Sequence, residues 1–279
     1  SEKQAGDKML SFVKAQTGGE GEISNISSFD NNFYEVTVLL QGQKIPAYVT
    51  KDGKYFVPSF TPLDISDVPT KGGNTTTAEV PKSDKPSVEL YVFTYCPYGT
   101  QSEKGIIPVV NLLGNKIDFK IRQIGAMHGE YEKIEAQRQL CVGKEYPIKL
   151  LNYTYQFALS SEIGACKGDA VCVGPKIDAL YTKLGIVKTK IESCMKSDGV
   201  ALYATEEANA QNNSVSGSPT LIINGQNVQS GRDSASYLDT ICGAFNTAPA
   251  ECDEVLSSTA PSAGFGDSAG SASSSAAQC

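Results

Sequence analysis

The chain has 279 residues, a formal net charge of −7 and 40% hydrophobic residues. This length predicts about two domains with proper cores, and the acidic balance excludes nucleic-acid partners, which need a basic surface. The chain contains one histidine. We therefore expect neither a histidine-rich metal site nor a histidine-heavy active site, and we predict no cofactor.

Eight cysteines indicate an oxidising compartment, because disulfides persist outside the cytoplasm. No apolar stretch is long enough to span a membrane, and the sequence begins at Ser1 without a methionine. We therefore expect an extracytoplasmic protein, secreted, periplasmic or at the cell surface. A signal peptide or membrane anchor is expected to have been removed from it.

Residues 1–69 predict a small α+β domain. A helical pattern covers Lys3 to Gln16, and strand-like runs separated by turn signals follow it. These runs are Ile23–Phe29, Phe33–Leu40, Lys44–Thr50 and Lys54–Pro58. Residues 70–87 are rich in Gly, Thr, Lys and Pro without periodicity, which predicts an exposed linker between domains.

The second domain, 88–252, begins with the stretch around which the chain is organised. Val88 to Thr94 reads as a buried strand and runs into Cys96-Pro97, after which a helical pattern extends to about Leu113. Cys96 therefore lies at a helix N-terminus, where the helix dipole favours a thiolate nucleophile. The alternative is a structural half-cystine that happens to precede a helix.

A second strand is predicted over Ile117–Ile124 and forms a right-handed parallel unit with the first. The carboxyl ends of both strands meet at one sheet edge, where such sheets bind ligands. His128 follows the second strand and is a candidate auxiliary residue that stabilises the thiolate or moves its proton. The alternative is an exposed loop histidine.

Residues 129–213 are predominantly helical, with candidate helices at 132–142, 148–159, 173–184, 188–195 and 202–211. The cysteines in this region read as structural. Cys166 and Cys172 bracket a short loop and can close it, which leaves Cys141 with Cys194. A zinc site is the rival interpretation, but no Cys-x-x-Cys spacing supports it, and we expect no metal.

Pro219 to Val228 predicts a hairpin with an Asn-Gly turn, and Asp233–Phe245 predicts a closing amphipathic helix. Cys242 and Cys252 are close in sequence and predict a local disulfide. The tail, 253–279, becomes rich in Ser, Ala and Gly and ends at Cys279. This composition predicts no packed core.

The strand, Tyr95-Cys-Pro-Tyr98, the helix and the later Gly-Ser-Pro-Thr segment resemble the thioredoxin superfamily, closest to its DsbA-like branch with a helical insertion. The resemblance implies an α/β thioredoxin-like fold with that insertion at about 129–213, preceded by the small α+β domain. It also implies that Cys96 attacks disulfides opposite a cis-proline. The implied catalytic residues are Cys96, Pro97, Tyr98, Gly99 and Pro219.

Two further features belong to the resemblance. It implies that Ser218 and Thr220 contact a substrate strand. Tyr48 to Pro58 resembles the end of the dimerisation domain of DsbC-type isomerases, which implies a homodimer through residues 1–69; a small accessory domain without that role is the alternative. The second cysteine of the family motif is replaced by Gly99, so the chain resembles a monothiol member.

The predicted function is extracytoplasmic thiol–disulfide exchange by one nucleophilic cysteine, as an isomerase or mixed-disulfide carrier acting on protein thiols or disulfides. The alternative is a non-catalytic structural protein of a surface or extracellular assembly, with Cys96 permanently bonded. Local pairing leaves Cys96 and Cys279, so we predict that these two form a disulfide. In that bond, Cys279 either resolves mixed disulfides, blocks Cys96 permanently or links neighbouring molecules. The simpler alternative is that Cys279 is free or pairs with a partner outside the chain.

Overall fold

The computed structural model describes residues 2–17, 22–29, 32–40, 43–52, 56–57, 80–268 and 278–279. The chain divides into two compact units, Ser1–Thr75 and Thr76–Cys279. Most of the predicted linker, 70–79, and the end of the predicted N-terminal domain lie outside the described residues.

The first unit is a helix against an antiparallel meander. Its elements are α1 (Glu2–Thr17), β1 (Glu22–Ser28), β2 (Phe33–Leu40), β3 (Gln43–Thr50) and β4 (Phe56–Val57), with the strands in sequential order. Met9 and Val13 of the helix are buried with Val36, Val38 and Val49 of the sheet. The alternation of buried and half-buried residues along β2 explains this single-faced packing. The likeness of this unit to a DsbC-type dimerisation domain stays a prediction.

The second unit contains a mixed sheet in the order β6-β5-β7-β8. The strands are β5 (Ser87–Val92), β6 (Asp118–Gln123), β7 (Thr220–Ile223) and β8 (Gln226–Val228). β5 pairs in parallel with β6 and antiparallel with β7. The turn between β7 and β8 is formed by Asn224 and Gly225, both with positive φ, as an Asn-Gly hairpin requires.

The described part of the second unit also contains seven helices of nine or more residues and one short helix. They are α2 (Pro97–Leu113), α3 (Glu130–Glu145), α4 (Pro147–Leu159), α5 (Ser161–Ala165), α6 (Ala170–Leu184), α7 (Lys188–Ser197), α8 (Gly199–Asn212) and α9 (Ser234–Cys242). α3 to α8 fill the stretch where sequence patterning predicts a helical insertion. None of the described helices combines the length and the apolarity needed to cross a membrane.

Both faces of the central strand β5 are buried. Val88, Leu90 and Val92 share a core with α2 and α9, whereas Tyr91 points to the other face and packs with Ala210 of α8. Burial on both sides agrees with the largely apolar sequence of β5, in which Ser87 and Glu89 are the polar residues. This burial fixes the end of β5, and with it the start of α2.

Two segments differ from their predicted roles. Residues 80–86 belong to the predicted linker, yet Val80 packs on the sheet core and Ser83 bridges to Phe245. Part of the tail, expected not to pack, also packs: Phe265 contacts the core of the helical insertion. Composition misses both segments because their contacts are made with residues distant in sequence.

Candidate active site

Cys96 lies at the junction of the central strand and the longest helix. After β5, the chain makes a turn in which the Cys96 N–H donates to Phe93 O at 3.0 Å. Cys96 is the residue before the first turn of α2, and Pro97 opens that turn. The Gly99 N–H donates to Cys96 Sγ at 3.3 Å, so an amide in the first turn of the helix, which has no acceptor within the helix, points at the sulfur.

The space beside Gly99 is occupied by a serine hydroxyl. A Cβ atom added at Gly99 would lie 2.7 Å from Ser218 Oγ and 3.1 Å from Phe93 O. The Ser218 hydroxyl accepts a hydrogen bond from the Phe93 N–H at 3.0 Å and is therefore held in position. Gly99 and the Ser218 hydroxyl are thus complementary, and a larger residue at position 99 requires Ser218 to move.

Cys96 forms a disulfide with Cys279, 183 residues away in sequence. Cys96 is fully buried, and its sulfur lies 3.3 Å from Ser218 O. Its Gly99 contact is therefore made to a disulfide sulfur and not to a free thiol. The sequence left a free Cys279 and an external partner open, and the structure contains the intrachain bond.

The residues around Cys279 form a short backbone ladder with the segment before β7. The Cys279 N–H donates to Ser218 O at 2.9 Å, and the Ser218 N–H donates to Cys279 O at 3.3 Å. The peptide bond between Ser218 and Pro219 is cis. Gln278 Nε2 donates to Pro219 O at 2.7 Å. The last two residues therefore occupy the main-chain edge that the resemblance assigns to a substrate strand.

The neighbours of this ladder have distinct roles. A Cβ atom at Gly217 would lie 2.7 Å from Gln278 Oε1, so glycine permits the close approach of the tail. The Thr220 hydroxyl donates to Gly217 O at 2.8 Å. Ser218 thus contacts the tail through its main chain, whereas the Thr220 hydroxyl braces the loop that carries Ser218.

A buried carboxylate holds the loop before Cys96. Glu132 of α3 accepts from the N–H groups of Tyr95, Met127 and His128 at 2.8, 2.7 and 2.8 Å. The His128 ring also lies 3.1 Å from this carboxylate through Nδ1, and its edge faces the Phe93 ring. No described contact joins His128 to Cys96 or Cys279, and its auxiliary role stays a prediction.

Aromatic rings cover the Tyr95 side of the site. The Tyr95 ring contacts those of Tyr131, Phe157 and Phe265 at centroid distances of 4.8, 5.6 and 5.4 Å. Burial raises the pKa of Tyr95, with nearby Glu135 adding to the effect. Tyr95 therefore acts as a neutral apolar wall beside Cys96.

A buried cation lies behind Tyr98. The Arg232 guanidinium sits 5.2 Å above the Tyr98 ring and donates to Gln101 Oε1 at 3.2 Å. Burial lowers the pKa of Arg232, which the aromatic hydroxyls of Tyr237 and Tyr98 oppose. The stacked guanidinium fixes the ring of Tyr98 within the motif.

A second buried cation binds the tail. Lys104 of α2 is 3% exposed, and its Nζ donates to the carbonyl oxygens of Ser262, Gly264 and Gly266 at 2.8, 2.7 and 2.8 Å. Burial lowers the pKa of Lys104 to about 8, and the carboxyls of Glu103 and Asp267 oppose the shift. We call residues 261–266 the strap.

Next to Lys104, Glu103 is a buried carboxyl without a described partner. Neither of its oxygens has a hydrogen bond within the described part of the chain. Burial raises its pKa well above the ordinary value, buried Glu135 adds to the shift and Lys104 opposes it. Glu103 therefore favours its protonated form.

The other six cysteines form three disulfides away from this site. They are Cys141–Cys194 between α3 and α7, Cys166–Cys172 around a short loop, and Cys242–Cys252 after α9. A disulfide sulfur is not the thiolate that zinc requires, so these bonds oppose the rival zinc interpretation.

Sequence patterning identifies the cysteines and the loop before β7 but misses Glu132, Arg232, Lys104 and Phe265. The first three are charged residues on helices or loops, and nothing in their spacing distinguishes them from solvated positions. Phe265 has a weak signal in the sequence, because it is the one aromatic residue in a tail of mostly small and polar residues. An isolated aromatic residue in such a segment is a sign of anchoring.

Comparison with solved structures relates this arrangement to known proteins. "MdbA protein, a thiol-disulfide oxidoreductase from Actinomyces oris" matches with 18% identity and a TM-score of 0.50, over 59% of this chain and 84% of that one. DsbA from Mycobacterium tuberculosis matches with 17% identity and a TM-score of 0.46, over 62% and 94%. DsbG from the same organism matches with 19% identity and a TM-score of 0.47, over 62% of this chain and 88% of that one.

No protein-family model matches the sequence, and no curated protein matches it. At these identities, the A. oris structure is informative about fold alone. The predicted fold class is confirmed: the second unit has an α/β, thioredoxin-like fold with helices inserted between β6 and β7.

Proposed function

We propose that this protein carries out thiol–disulfide exchange at Cys96, with Cys279 as its partner in the oxidised state. The observation that carries the proposal is the place of the disulfide. It joins the N-terminus of α2 to a tail paired with Ser218, in a fold shared with a thiol-disulfide oxidoreductase of A. oris. Protein thiols or disulfides are the proposed substrates.

Local charge favours the reduced form of Cys96 as a thiolate. The Gly99 N–H already points at the sulfur, and the start of a 17-residue helix adds its dipole. Both interactions stabilise a negative sulfur and so favour the thiolate, which is the nucleophilic form of a cysteine.

The exchange proceeds in two balanced steps. A substrate thiolate attacks Cys96 Sγ, a mixed disulfide forms and the Cys279 thiolate leaves and takes up a proton. A second substrate thiolate then attacks the substrate sulfur, which releases Cys96 and leaves the substrate oxidised by two electrons and the protein reduced. In reverse, the Cys96 thiolate opens a substrate disulfide and Cys279 releases the product. Isomerisation follows when a substrate thiol performs the release.

The disulfides also support an extracytoplasmic location. Four bonds use all eight cysteines, and such bonds persist in secreted, periplasmic and cell-surface proteins. We retain homodimerisation through the first unit as part of the proposal, to be tested by the mass of the protein in solution.

The proposed function is tested by refolding a scrambled disulfide substrate in glutathione buffer. Wild-type protein should accelerate refolding, and Cys96→Ala should abolish the effect. Cys279→Ala should retain attack but accumulate a mixed disulfide at Cys96, detected by mass mapping. A Cys242→Ala/Cys252→Ala variant is the matched control and should retain activity. Equal refolding with wild-type and Cys96→Ala proteins would remove the enzymatic proposal.

A second candidate function is structural, and the full burial of Cys96 favours it. In this alternative the disulfide is permanent and the fold is a scaffold in a surface or extracellular assembly. The two functions differ in one property: the folded protein either does or does not exchange its Cys96 disulfide with glutathione. A bond that opens only in denaturant would support the scaffold.

A further inference from the structure

We propose that the strap is a permanent anchor, independent of the disulfide, which keeps Cys279 near Cys96 after the bond opens, and that Lys104 is its positioning residue. This proposal rests on the proposed function and specifies how the distant cysteine can act as the releasing thiol. A tail of small and polar residues would otherwise carry Cys279 away on reduction.

Side chains of α2 hold the strap by hydrogen bonds. The buried ammonium of Lys104 donates to three of its carbonyl oxygens, and Gln101 Nε2 donates to Pro261 O at 2.7 Å. Hydrogen bonds to a charged, buried donor are stronger than those between neutral groups. Side chains on one face of α2 therefore bind the main-chain carbonyl groups of the strap.

The second half of the anchor is apolar. Phe265 packs against Tyr95 and against Phe157 of α4, at a centroid distance of 5.2 Å from the latter. The Gly264 N–H donates to Pro97 O at 2.8 Å, and the Gly266 N–H donates to Ala158 O at 3.0 Å. The strap thus touches both residues that flank Cys96.

None of these contacts involves Gln278 or Cys279. They join the strap to α2, to α4 and to the loop before Cys96, all of which are held by the buried core. Opening the Cys96–Cys279 bond removes no hydrogen bond of the strap. The anchor should therefore persist in the reduced protein, unlike the backbone ladder at Ser218.

Anchoring shortens the chain that carries Cys279. With the strap bound, 12 residues lie between Gly266 and Cys279. Without it, the last described attachment of the tail is Ser257, whose carbonyl accepts from the Ala235 N–H, and 21 residues lie between Ser257 and Cys279. Effective concentration falls with about the −3/2 power of length, so releasing the strap lowers that of Cys279 by roughly twofold.

The step that benefits is release of a mixed disulfide. The Cys279 thiolate attacks Cys96 Sγ, the Cys96–Cys279 bond forms, and the bond from Cys96 to the bound thiol breaks. The leaving thiolate takes a proton from solvent. No other oxidant or reductant is required.

Hydrogen exchange tests the anchor directly. The amide protons of Gly264 and Gly266 should be protected in the full-length oxidised protein and equally protected in Cys279→Ser, in which the disulfide cannot form. Protection that is lost in Cys279→Ser would show that the disulfide holds the strap, and would overturn the proposal. This measurement requires no exchange activity, so it can fail while the proposed function stands.

The closing equilibrium tests the positioning role. In glutathione buffer, the ratio of the Cys96–Cys279 bond to the Cys96–glutathione mixed disulfide reports the effective concentration of Cys279. Lys104→Met/Phe265→Ala should lower it by about twofold. The matched control is Lys149→Met/Val255→Ala, which removes a Lys–carbonyl bond to Gly185 and an exposed tail side chain and should leave the ratio unchanged.

An unchanged ratio in Lys104→Met/Phe265→Ala, measured well below its unfolding temperature, would show that the strap only stabilises the fold and would refute the positioning role. If wild-type protein forms no mixed disulfide with glutathione at all, the proposed function itself fails. The hydrogen-exchange result then still reports on the anchor.

Discussion

Two disulfides of the second unit are similarly buried at their first cysteine but differ in surroundings. Cys96 and Cys141 are both fully buried. Cys141–Cys194 lies within an apolar cluster between α3 and α7. Cys96–Cys279 instead lies against polar main-chain groups: the Gly99 N–H and the Ser218 carbonyl are each 3.3 Å from the Cys96 sulfur.

Burial alone therefore does not distinguish these two disulfides, and the proposed difference in their reactivity depends on the groups around each sulfur. An apolar cluster disfavours a thiolate, whereas a helix N-terminus stabilises it. The two bonds also differ in what their second cysteine is attached to. Cys194 belongs to a packed helix, whereas Cys279 is held by a short backbone ladder to Ser218.

Removing the apolar disulfide should produce the largest effect on stability and none on exchange. Cys141→Ala/Cys194→Ala opens a link across 53 residues, for which the chain-entropy estimate is about 4 kcal/mol. Urea unfolding measures this loss, and scrambled-substrate refolding at a temperature where the variant is folded measures activity. Loss of exchange in the folded variant would contradict the separation of the two disulfides.

The fit between Gly99 and Ser218 gives the next effect. Gly99→Ala places a Cβ 2.7 Å from Ser218 Oγ, and such overpacking costs roughly 1–3 kcal/mol. Ser218→Ala removes the hydroxyl but leaves the Phe93 N–H unpaired, which also costs about 1–3 kcal/mol.

A double-mutant cycle isolates the contact. The variant carrying both changes should be less destabilised than the sum of the single variants, since removal of the Ser218 hydroxyl relieves its clash with the Cβ added at position 99. Strict additivity in urea unfolding would show that Ser218 Oγ does not occupy the space beside Gly99.

Glu103 should make the second unit less stable as pH rises. Its folded-state pKa is raised above the ordinary 4.5, so above that pH the folded state holds a proton that the unfolded chain releases. Unfolding free energy therefore falls with rising pH. Glu103→Gln should be more stable than wild type at pH 7.5, with the difference shrinking towards pH 5.

The pH range from 5 to 7.5 lies below the range in which a second buried group, Lys104, changes the stability. Lys104, with a pKa lowered to about 8 from the ordinary 10.5, makes stability rise with pH between those values. Measurements below pH 7.5 therefore report mainly on Glu103, and Glu135 is common to both proteins. A difference that does not vary with pH would show that Glu103 is ionised in the folded protein.

The smallest effect belongs to Gln278. Its side chain is exposed, and its hydrogen bond to Pro219 O is worth about 0.5 kcal/mol at such a site. Gln278→Ala should lower the ratio of closed to glutathione-bound Cys96 by about twofold. A tenfold decrease would show that the ladder, rather than the strap, dominates closure.

Sequence patterning predicts much of the fold because β5, α2 and the β7–β8 hairpin carry strong local signals. The apolar run of β5, the Cys-Pro start of α2 and the Asn-Gly turn each depend on neighbours in sequence. The sequence also leaves Cys96 and Cys279 to pair with each other. Two of the other pairs are close in sequence, and the third joins the two remaining cysteines of the helical insertion.

The rest of the site is not readable from the sequence because it depends on tertiary burial. Glu132 acts through three main-chain donors from a separate loop, and Lys104 through carbonyls about 160 residues away. No spacing rule links such positions. The filling of the Gly99 space by Ser218 is likewise visible only after the two segments are brought together.

The most direct test of the central claim is graded reduction of the folded protein, followed by alkylation and non-reducing peptide mapping. Increasing glutathione should open Cys96–Cys279 before Cys141–Cys194, while near-UV circular dichroism shows that the protein remains folded. The peptide that contains Tyr95-Cys96-Pro97 should be the first of these to be labelled. Opening of Cys141–Cys194 first, or a Cys96–Cys279 bond that persists until unfolding, would contradict the claim.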